Sequence, residues 1–333
     1  MKAADTPSAA RPETDSTTDY AAPAWLRGAH AQTIWPLAIK GEMPAFRRKR
    51  WKTPDEDFID VDFLPAREAQ PLVVLFHGLE GSSRSHYARS LMREVARRGW
   101  NGAVVHFRGC SGEPNHRPRA YHSGDANEID WILRKFARRF PDVPRYAAGV
   151  SLGGNALLCW LGTRRQEAAR LISKAAAVSA PVDLGASGQH LGQGFNKLYT
   201  RYFLQTMRPR ARLKARQYPG RFDVAKAIRA KSLAEFDDAF TAPLHGFRDY
   251  ADYWSKASAK QHLKYIAVPT LMLHALNDPF MPVEALPMQS EVSSLVRLDF
   301  PREGGHVGFV TGAFPGRLDW MPRRLLHYFE YAR

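Results

Sequence analysis

YAAGVSLGG, residues 146–154, is the stretch whose reading decides the fold. A short apolar run enters Gly149-Val150-Ser151-Leu152-Gly153, and a second glycine follows. Glycine makes up about 7% of average proteins, so a Gly-x-Ser-x-Gly match arises by chance in roughly one chain in ten of this length. The pentapeptide alone therefore carries little. Its neighbours must decide between a nucleophile held on a sharp turn and an ordinary glycine-rich surface loop.

Outward from that stretch, strand-like and helix-like segments alternate from residue 50 onward. This is the pattern of a mostly parallel sheet wrapped by helices, an α/β fold. The end of WKTPDEDFIDVDFL (51–64) alternates as Phe58, Asp60, Asp62 and as Ile59, Val61, Phe63. It predicts half of an N-terminal hairpin with one solvated face. PLVVLFHG (71–78) is a continuous apolar run, as expected of a strand buried on both faces. In HYARSLMREVARRGW (86–100), Tyr87, Leu91 and Val95 recur at helical spacing and Gly99 marks the stop. NGAVVHFRG (101–109) is the next strand. Residues 122–140 then read as a helix with Ser123 as N-cap, acids early and basics late. RYAAGV (145–150) is a strand, LGGNALLCWLG (152–162) a helix ended by glycine, and KAAAVSAPVDL (174–184) a strand. PTLMLHALND (269–278) and SLVRLDF (294–300) complete the sheet, with a closing helix near 317–332.

One segment breaks the rhythm. Residues 186–254 are long, basic and aromatic, with no strong strand, and are expected to form an inserted helical cap rather than a loop. Residues 1–19 are polar and proline-bearing with no apolar leader segment, and are expected to be a disordered tail. The remaining 20–333 form the α/β domain.

Composition narrows the functional classes. The 333 residues are 44% apolar and 24% charged, ordinary for a folded domain. No apolar run approaches the ~20 residues of a membrane-spanning helix. Cys110 and Cys159 are the only cysteines. Without an export signal they are expected to be free thiols in a reducing, cytoplasmic setting. No Cys/His cluster has zinc spacing, so neither a metal nor another cofactor is expected.

The net charge of +15 is the outlier, with ten Lys and Arg between 201 and 231 against Asp223 alone. Two readings stand. One is a solvated basic face; the other is peripheral contact with an anionic membrane, at its inner face in a cytoplasmic protein. No nucleic-acid-binding module accompanies the charge, so a nucleic-acid partner is not expected.

The strand–turn–helix address of Ser151 is that of a nucleophile elbow, with a helix N-terminus beneath the serine offering unpaired N–H groups to a developing oxyanion. A serine needs a general base and a group to orient that base. In this fold type the chain order is Ser, acid, His. His306, in the glycine-flanked loop PREGGHVGF after the last strand, is the candidate base. His274 within a strand, and His262 and His327 on helices, read as packed or solvated. Asp278, at the carboxyl end of strand 269–276, is the candidate acid, with Asp249 and Asp252 as alternatives. The oxyanion donors are expected at the N–H groups of Leu152 and of Leu79, in the loop HGLEGS (77–82). His77 reads as structural. Aromatics of the insertion, including Phe195, Tyr199, Tyr202, Phe203 and Phe247, either line an acyl pocket or pack the insertion's own core.

At these residues the chain resembles a family, the α/β-hydrolases of the YheT-like branch. Its eukaryotic relatives include membrane-associated lipid hydrolases and fungal medium-chain ethyl-ester enzymes. The resemblance runs through WLRGAHAQTIWP (25–36), TPDEDFIDVDF, HGLEGSSRSHYARSL, FRGCSGEPN (107–115), YHSGDANEI, GVSLGGNALL, LHGFRDYADYW, PTLMLHALNDPF and GGHVGF. It implies an α/β-hydrolase fold and an ester-hydrolysing Ser-Asp-His triad, which falls on Ser151, Asp278 and His306. The implied substrates are small-molecule or lipid esters, short- to medium-chain in the acyl part. Some lipid-acting relatives carry a His-x4-Asp acyltransferase motif, but Thr311 stands five residues beyond His306. Acyl transfer to an alcohol and non-catalytic binding on a hydrolase scaffold remain the rival readings, since function resides in sites rather than folds.

Overall fold

In a computed structural model describing residues 19–39 and 41–332, the apolar runs assemble one eight-stranded sheet. Its strands are β1 (Arg47–Lys52), β2 (Phe58–Phe63), β3 (Leu72–Phe76), β4 (Asn101–His106), β5 (Arg145–Val150), β6 (Lys174–Val178), β7 (Thr270–Leu273) and β8 (Val296–Asp299). The spatial order is β1-β2-β4-β3-β5-β6-β7-β8. β1 and β2 form an antiparallel hairpin, β2 runs antiparallel to β4, and the other pairings are parallel. Alternate residues of β3 serve opposite layers. Leu72, Val74 and Phe76 join one core and Val73 and Leu75 the other, as the two-residue period of a strand requires.

Helices cover both faces. After α1 (Ala29–Ile34), α2 (His86–Arg97) and the closing α12 (Trp320–Tyr331) supply Leu91, Met92, Val95, Leu325, Leu326 and Phe329 to one layer. α3 (Ala126–Arg139) and α4 (Leu152–Arg164) supply Ile129, Ile132, Phe136, Leu157 and Leu158 to the other. Each such apolar side chain contributes roughly 1.5–3 kcal/mol by leaving water. α4 is buried from Gly153 to Gly162, so it is a core helix with no solvated stripe.

Four local expectations are corrected. The hairpin forms, but every residue of β2 is buried, because Arg48, Arg50, Ser83 and His106 cover the face expected to be solvated. Asp60 and Asp62 are tolerated there because Arg50 and Arg48 of β1 each grip one carboxylate with two hydrogen bonds of 2.7–2.9 Å. The N-cap of α3 is Asp125, which accepts the Glu128 N–H; Ser123 is buried and bonds Asn155 instead. Gly162 does not end α4. A Cβ there would lie 2.3 Å from the His262 carbonyl oxygen, so this glycine allows a close helix approach. β6 stops at Val178, and Asp183 caps the next helix by accepting the Ala186 N–H.

α5 (Gln166–Leu171) leads from α4 toward β6. Between β6 and β7 the chain is helical: α6 (Leu184–Leu191), α7 (Lys197–Gln217), α8 (Val224–Arg229), α9 (Leu233–Phe236), a π-turn Asp237–Thr241, α10 (Ala242–His245) and α11 (Tyr250–Ala257). This segment has its own core of Leu204, Met207, Ala211, Phe236 and Phe240. Its cations do not form a single outward face. Arg210 pairs with Glu80 at 2.6 Å, Arg208 donates to the Ala230 carbonyl, and buried Lys214 donates to the Asn115 carbonyl. Among the described residues, no helix is long and apolar enough to cross a membrane. Of the expected tail, 1–19, residues 1–18 lie outside the described residues.

Candidate active site

The chain turns sharply at Ser151. β5 ends at Val150, Ser151 adopts φ 52° and ψ −122°, and α4 begins at Leu152. A serine with positive φ is strained and persists only where its surroundings over-determine it. Here its N–H donates to the Val178 carbonyl of β6 and its carbonyl accepts the Asn155 N–H. The flanking glycines are demanded by contact. A Cβ on Gly149 would lie 2.5 Å from the Gly153 oxygen, and one on Gly153 would lie 2.4 Å from the His77 oxygen.

Ser151 Oγ lies 3.0 Å from His306 Nε2, and His306 Nδ1 lies 2.8 Å from Asp278 Oδ2. The fully buried Asp278 carboxylate also accepts the Phe280 N–H through Oδ1 at 2.8 Å. Burial works against its charge, but the facing His306 and these hydrogen bonds hold it below the ordinary carboxylate range. With Asp278 ionised, Nδ1 carries the proton and Nε2 is left to accept the serine hydroxyl. The Phe280 ring stacks on the imidazole, centroids 3.9 Å apart.

The His306 loop is held through four consecutive backbone N–H groups. Gly304 donates to Gln32 Oε1, Gly305 to Asn277 Oδ1, His306 to Thr33 Oγ1 and Val307 to Ser179 Oγ. Gln32 and Thr33 sit on α1, some 270 residues away in sequence, and individual residue types gave no reason to single them out. Their only signal was the distinctive block 25–36 that contains them.

The other candidates separate clearly. Asp249 caps α11 by accepting the Asp252 N–H, and Asp252 pairs with Lys256; neither approaches His306. His262 lies on a 3-10 turn and His327 on α12. His274 is buried beside the site, its Nε2 3.4 Å from Asp278 Oδ2. His77 is fully buried, with Nδ1 2.7 Å from the Gly78 carbonyl and Nε2 accepting the Phe107 N–H. Burial pushes its pKa down to about 3. It is a neutral brace for the loop after β3.

Leu79 and Leu152 both line the cavity beside Ser151. Around Leu79, the Gly78 N–H donates to Tyr87 Oη and the Glu80 N–H to Tyr121 Oη. Among the described residues, the N–H groups of Leu79 and Leu152 have no protein acceptor. Glu80, at φ 56°, accepts the Tyr121 hydroxyl and pairs with Arg210 of α7, so α7 braces this loop.

The cavity holds about 440 Å³ and is walled by Leu191, Phe203, Met207, Phe236, Phe240 and Trp254, with Glu80, Arg108, Asn115, Arg210, Lys214 and Asp237 among its polar groups. Burial raises Asp237 to about 6 and lowers Lys214 to about 8. Of the five aromatics singled out from sequence, only Phe203 reaches this wall. Tyr199 packs on Phe280, Phe195 on His30 and Phe247 on Tyr253, while Tyr202 is exposed. Helical phase and contacts with α1 decide this, and composition does not report them. Among the described residues, no group of three His, Cys, Asp or Glu side chains could hold a metal ion.

Residues 71–313 match the family described as the alpha/beta hydrolase fold. The chain is 37% identical over 321 residues to an Escherichia coli (strain K12) protein whose provisional name is esterase YheT, covering 94% of this chain and 93% of that one. It is 29% identical over 318 residues to phospholipase ABHD3 of Mus musculus, covering 92% of this chain and 77% of that one. A solved membrane phospholipase A, described as a bacterial virulence factor, superposes with a TM-score of 0.55 at 14% identity, over 90% of this chain and 88% of that one. At that identity the likeness speaks for the fold alone.

Proposed function

We propose that this chain, which belongs to the α/β-hydrolase family, is a serine hydrolase cleaving carboxylic esters through an acyl-enzyme. The observation that carries the reading is the unbroken hydrogen-bond chain from Ser151 Oγ through His306 to Asp278, with steps of 3.0 and 2.8 Å. It opens into an apolar cavity. Ser151 Oγ attacks the ester carbonyl as His306 Nε2 takes its proton. Asp278 keeps the imidazole in the accepting tautomer and stabilises the imidazolium. The free N–H groups of Leu79 and Leu152 receive the oxyanion. His306 then gives its proton to the departing alcohol, and a water deprotonated by the same imidazole hydrolyses the acyl-enzyme.

Two things support a lipid-type or medium-chain acyl group: walls of Leu191, Phe203, Met207, Phe236 and Phe240, and relatives named as an esterase and a phospholipase. We read the helices between β6 and β7 as the cap that closes this cavity. The test is Ser151→Ala, assayed with a fluorophosphonate probe and p-nitrophenyl esters of graded chain length. The variant is expected to unfold at the wild-type temperature while losing probe labelling and nearly all turnover. Labelling at the wild-type rate would move the nucleophile elsewhere.

A further inference from the structure

Two stretches of this basic chain contain no acidic residue at all: 20–39 and 184–222. They are far apart in sequence and meet in space. His30 of α1 lies 3.0 Å from the Tyr199 hydroxyl of α7 and packs on the Phe195 ring at 4.3 Å. Ile34 and Leu37 follow His30 at i+4 and i+7, on the same side of the chain. Leu198 and Tyr202 follow Phe195 at helical spacing, opposite the buried Leu204 and Met207. The result is a surface on which Ile34, Leu37, Phe195, Leu198 and Tyr202 are each 45–63% exposed. The same two segments carry the exposed cations Arg27, just before α1, and Lys197 and Arg201 on α7. Glu303 meets α1 at buried Gln32, which donates to its carboxylate.

Isolated exposed apolar residues are ordinary, but five of them on two segments joined through His30 are the kind of grouping that marks an interaction site. Its position is informative. Tyr199 packs on Phe280 at 4.8 Å, and Phe280 stacks on His306 at 3.9 Å. The patch is therefore two ring contacts from the imidazole, on the helix that walls the cavity.

We infer that this surface docks the protein onto an anionic lipid bilayer. The large apolar groups enter the boundary between head groups and acyl chains, and Lys197, Arg201 and Arg27 face lipid phosphates and carboxylates. Charge complementarity selects this occupant, because two juxtaposed segments that carry cations and no acids suit an anionic leaflet and not a neutral one. Only the start of the 201–231 cluster, Arg201 and Tyr202, therefore belongs to this surface. Of the apolar residues within 201–231, Leu204 and Met207 are buried and Tyr202 alone faces outward among the large aromatics, while Arg210 and Lys214 point to the cavity. Docking here places the cavity beside the membrane that would supply a lipid ester. That consequence, though not the binding itself, rests on the ester-hydrolase reading.

The test is co-sedimentation of the full chain with vesicles of phosphatidylcholine containing about one-third phosphatidylserine, beside pure phosphatidylcholine vesicles. Wild type is expected to bind the anionic vesicles at low ionic strength, to release them as salt rises, and to bind the neutral ones far less. Each cation near such a surface is worth about fivefold in affinity, so Lys197→Gln with Arg201→Gln should weaken binding about thirtyfold. Leu198→Ser with Tyr202→Ser should remove the salt-resistant part. Both double variants should turn over a soluble p-nitrophenyl ester at the wild-type rate, and Ser151→Ala should bind vesicles as wild type does. The inference is overturned if wild type ignores anionic vesicles at low ionic strength. It is equally overturned if binding persists in both double variants and is lost on neutralising Arg216 and Arg221, or if heparin competes fully while Leu198→Ser with Tyr202→Ser has no effect. Loss of ester turnover by wild type with vesicle binding intact would count against the hydrolase reading and leave the docking surface standing.

Discussion

Replacing Asp278 with asparagine should disable the base by reversing its tautomer, and the surrounding hydrogen bonds say which way the new amide must point. Asp278 Oδ1 accepts the Phe280 N–H at 2.8 Å, so in Asp278→Asn the amide oxygen must occupy that position and the NH2 group must take the Oδ2 position. That group then faces His306 Nδ1, which the carboxylate now approaches to 2.8 Å. Two donors cannot share a hydrogen bond. Nδ1 must therefore give up its proton, which moves to Nε2, and Nε2 can no longer accept the Ser151 hydroxyl. A wrong-tautomer base in a triad of this type costs about ten-thousandfold in kcat, roughly 5 kcal/mol of barrier. The site gains no steric strain, because the side chain keeps its shape. The assay is steady-state hydrolysis of a p-nitrophenyl ester together with the rate of fluorophosphonate labelling, both of which should collapse while the thermal midpoint stays near wild type. A kcat within tenfold of wild type in a folded variant would refute the tautomer reasoning. If Asp249→Asn or Asp252→Asn gave the large loss instead, the acid would lie on α11.

Two further outcomes follow from the supports around the site. Thr33→Val removes the oxygen that accepts the His306 N–H at 2.9 Å and leaves a buried donor unpaired at about 1–3 kcal/mol. Kinetics should show kcat falling about tenfold for each 1.4 kcal/mol that reaches the barrier, with KM less affected and Thr33→Ser restoring activity; an unchanged kcat would deny α1 a positioning role. His77, fully buried and with its pKa pushed down to about 3, stays neutral when folded while the unfolded chain takes up a proton below about 6.5. Its contribution to stability is thus complete above pH 6.5 and is lost toward pH 3, at about 1.4 kcal/mol per unit. Urea unfolding between pH 6 and 4 should be less steeply pH-dependent by about that slope in His77→Gln, and identical slopes would contradict it.

What the sequence determined by itself was local or periodic. The apolar runs at 72–76, 101–106 and 145–150 read as buried strands, and each is one. The glycines around Ser151 announced a turn too tight for a Cβ, and a Cβ on Gly149 or Gly153 would indeed meet backbone oxygen at 2.4–2.5 Å. The order Ser151, Asp278, His306 was readable because each follows the carboxyl end of a strand in a parallel sheet, where loops converge. Tertiary structure decided everything that depends on which way a side chain faces across long separations. Asp60 and Asp62 alternate like solvated residues, yet they are buried because Arg48 and Arg50 neutralise them and Ser83 and His106 close over Asp62. The ten cations of 201–231 look alike in composition, but the phase of α7 sends Arg210 to Glu80 and Lys214 inward while Arg201 stays in solvent. Gln32 and Thr33 become partners of the His306 loop only once the chain ends are folded together. Hydrophobic period and turn chemistry act over a few residues and so are written in the chain. Partnership between distant polar groups depends on the packed arrangement of every element between them.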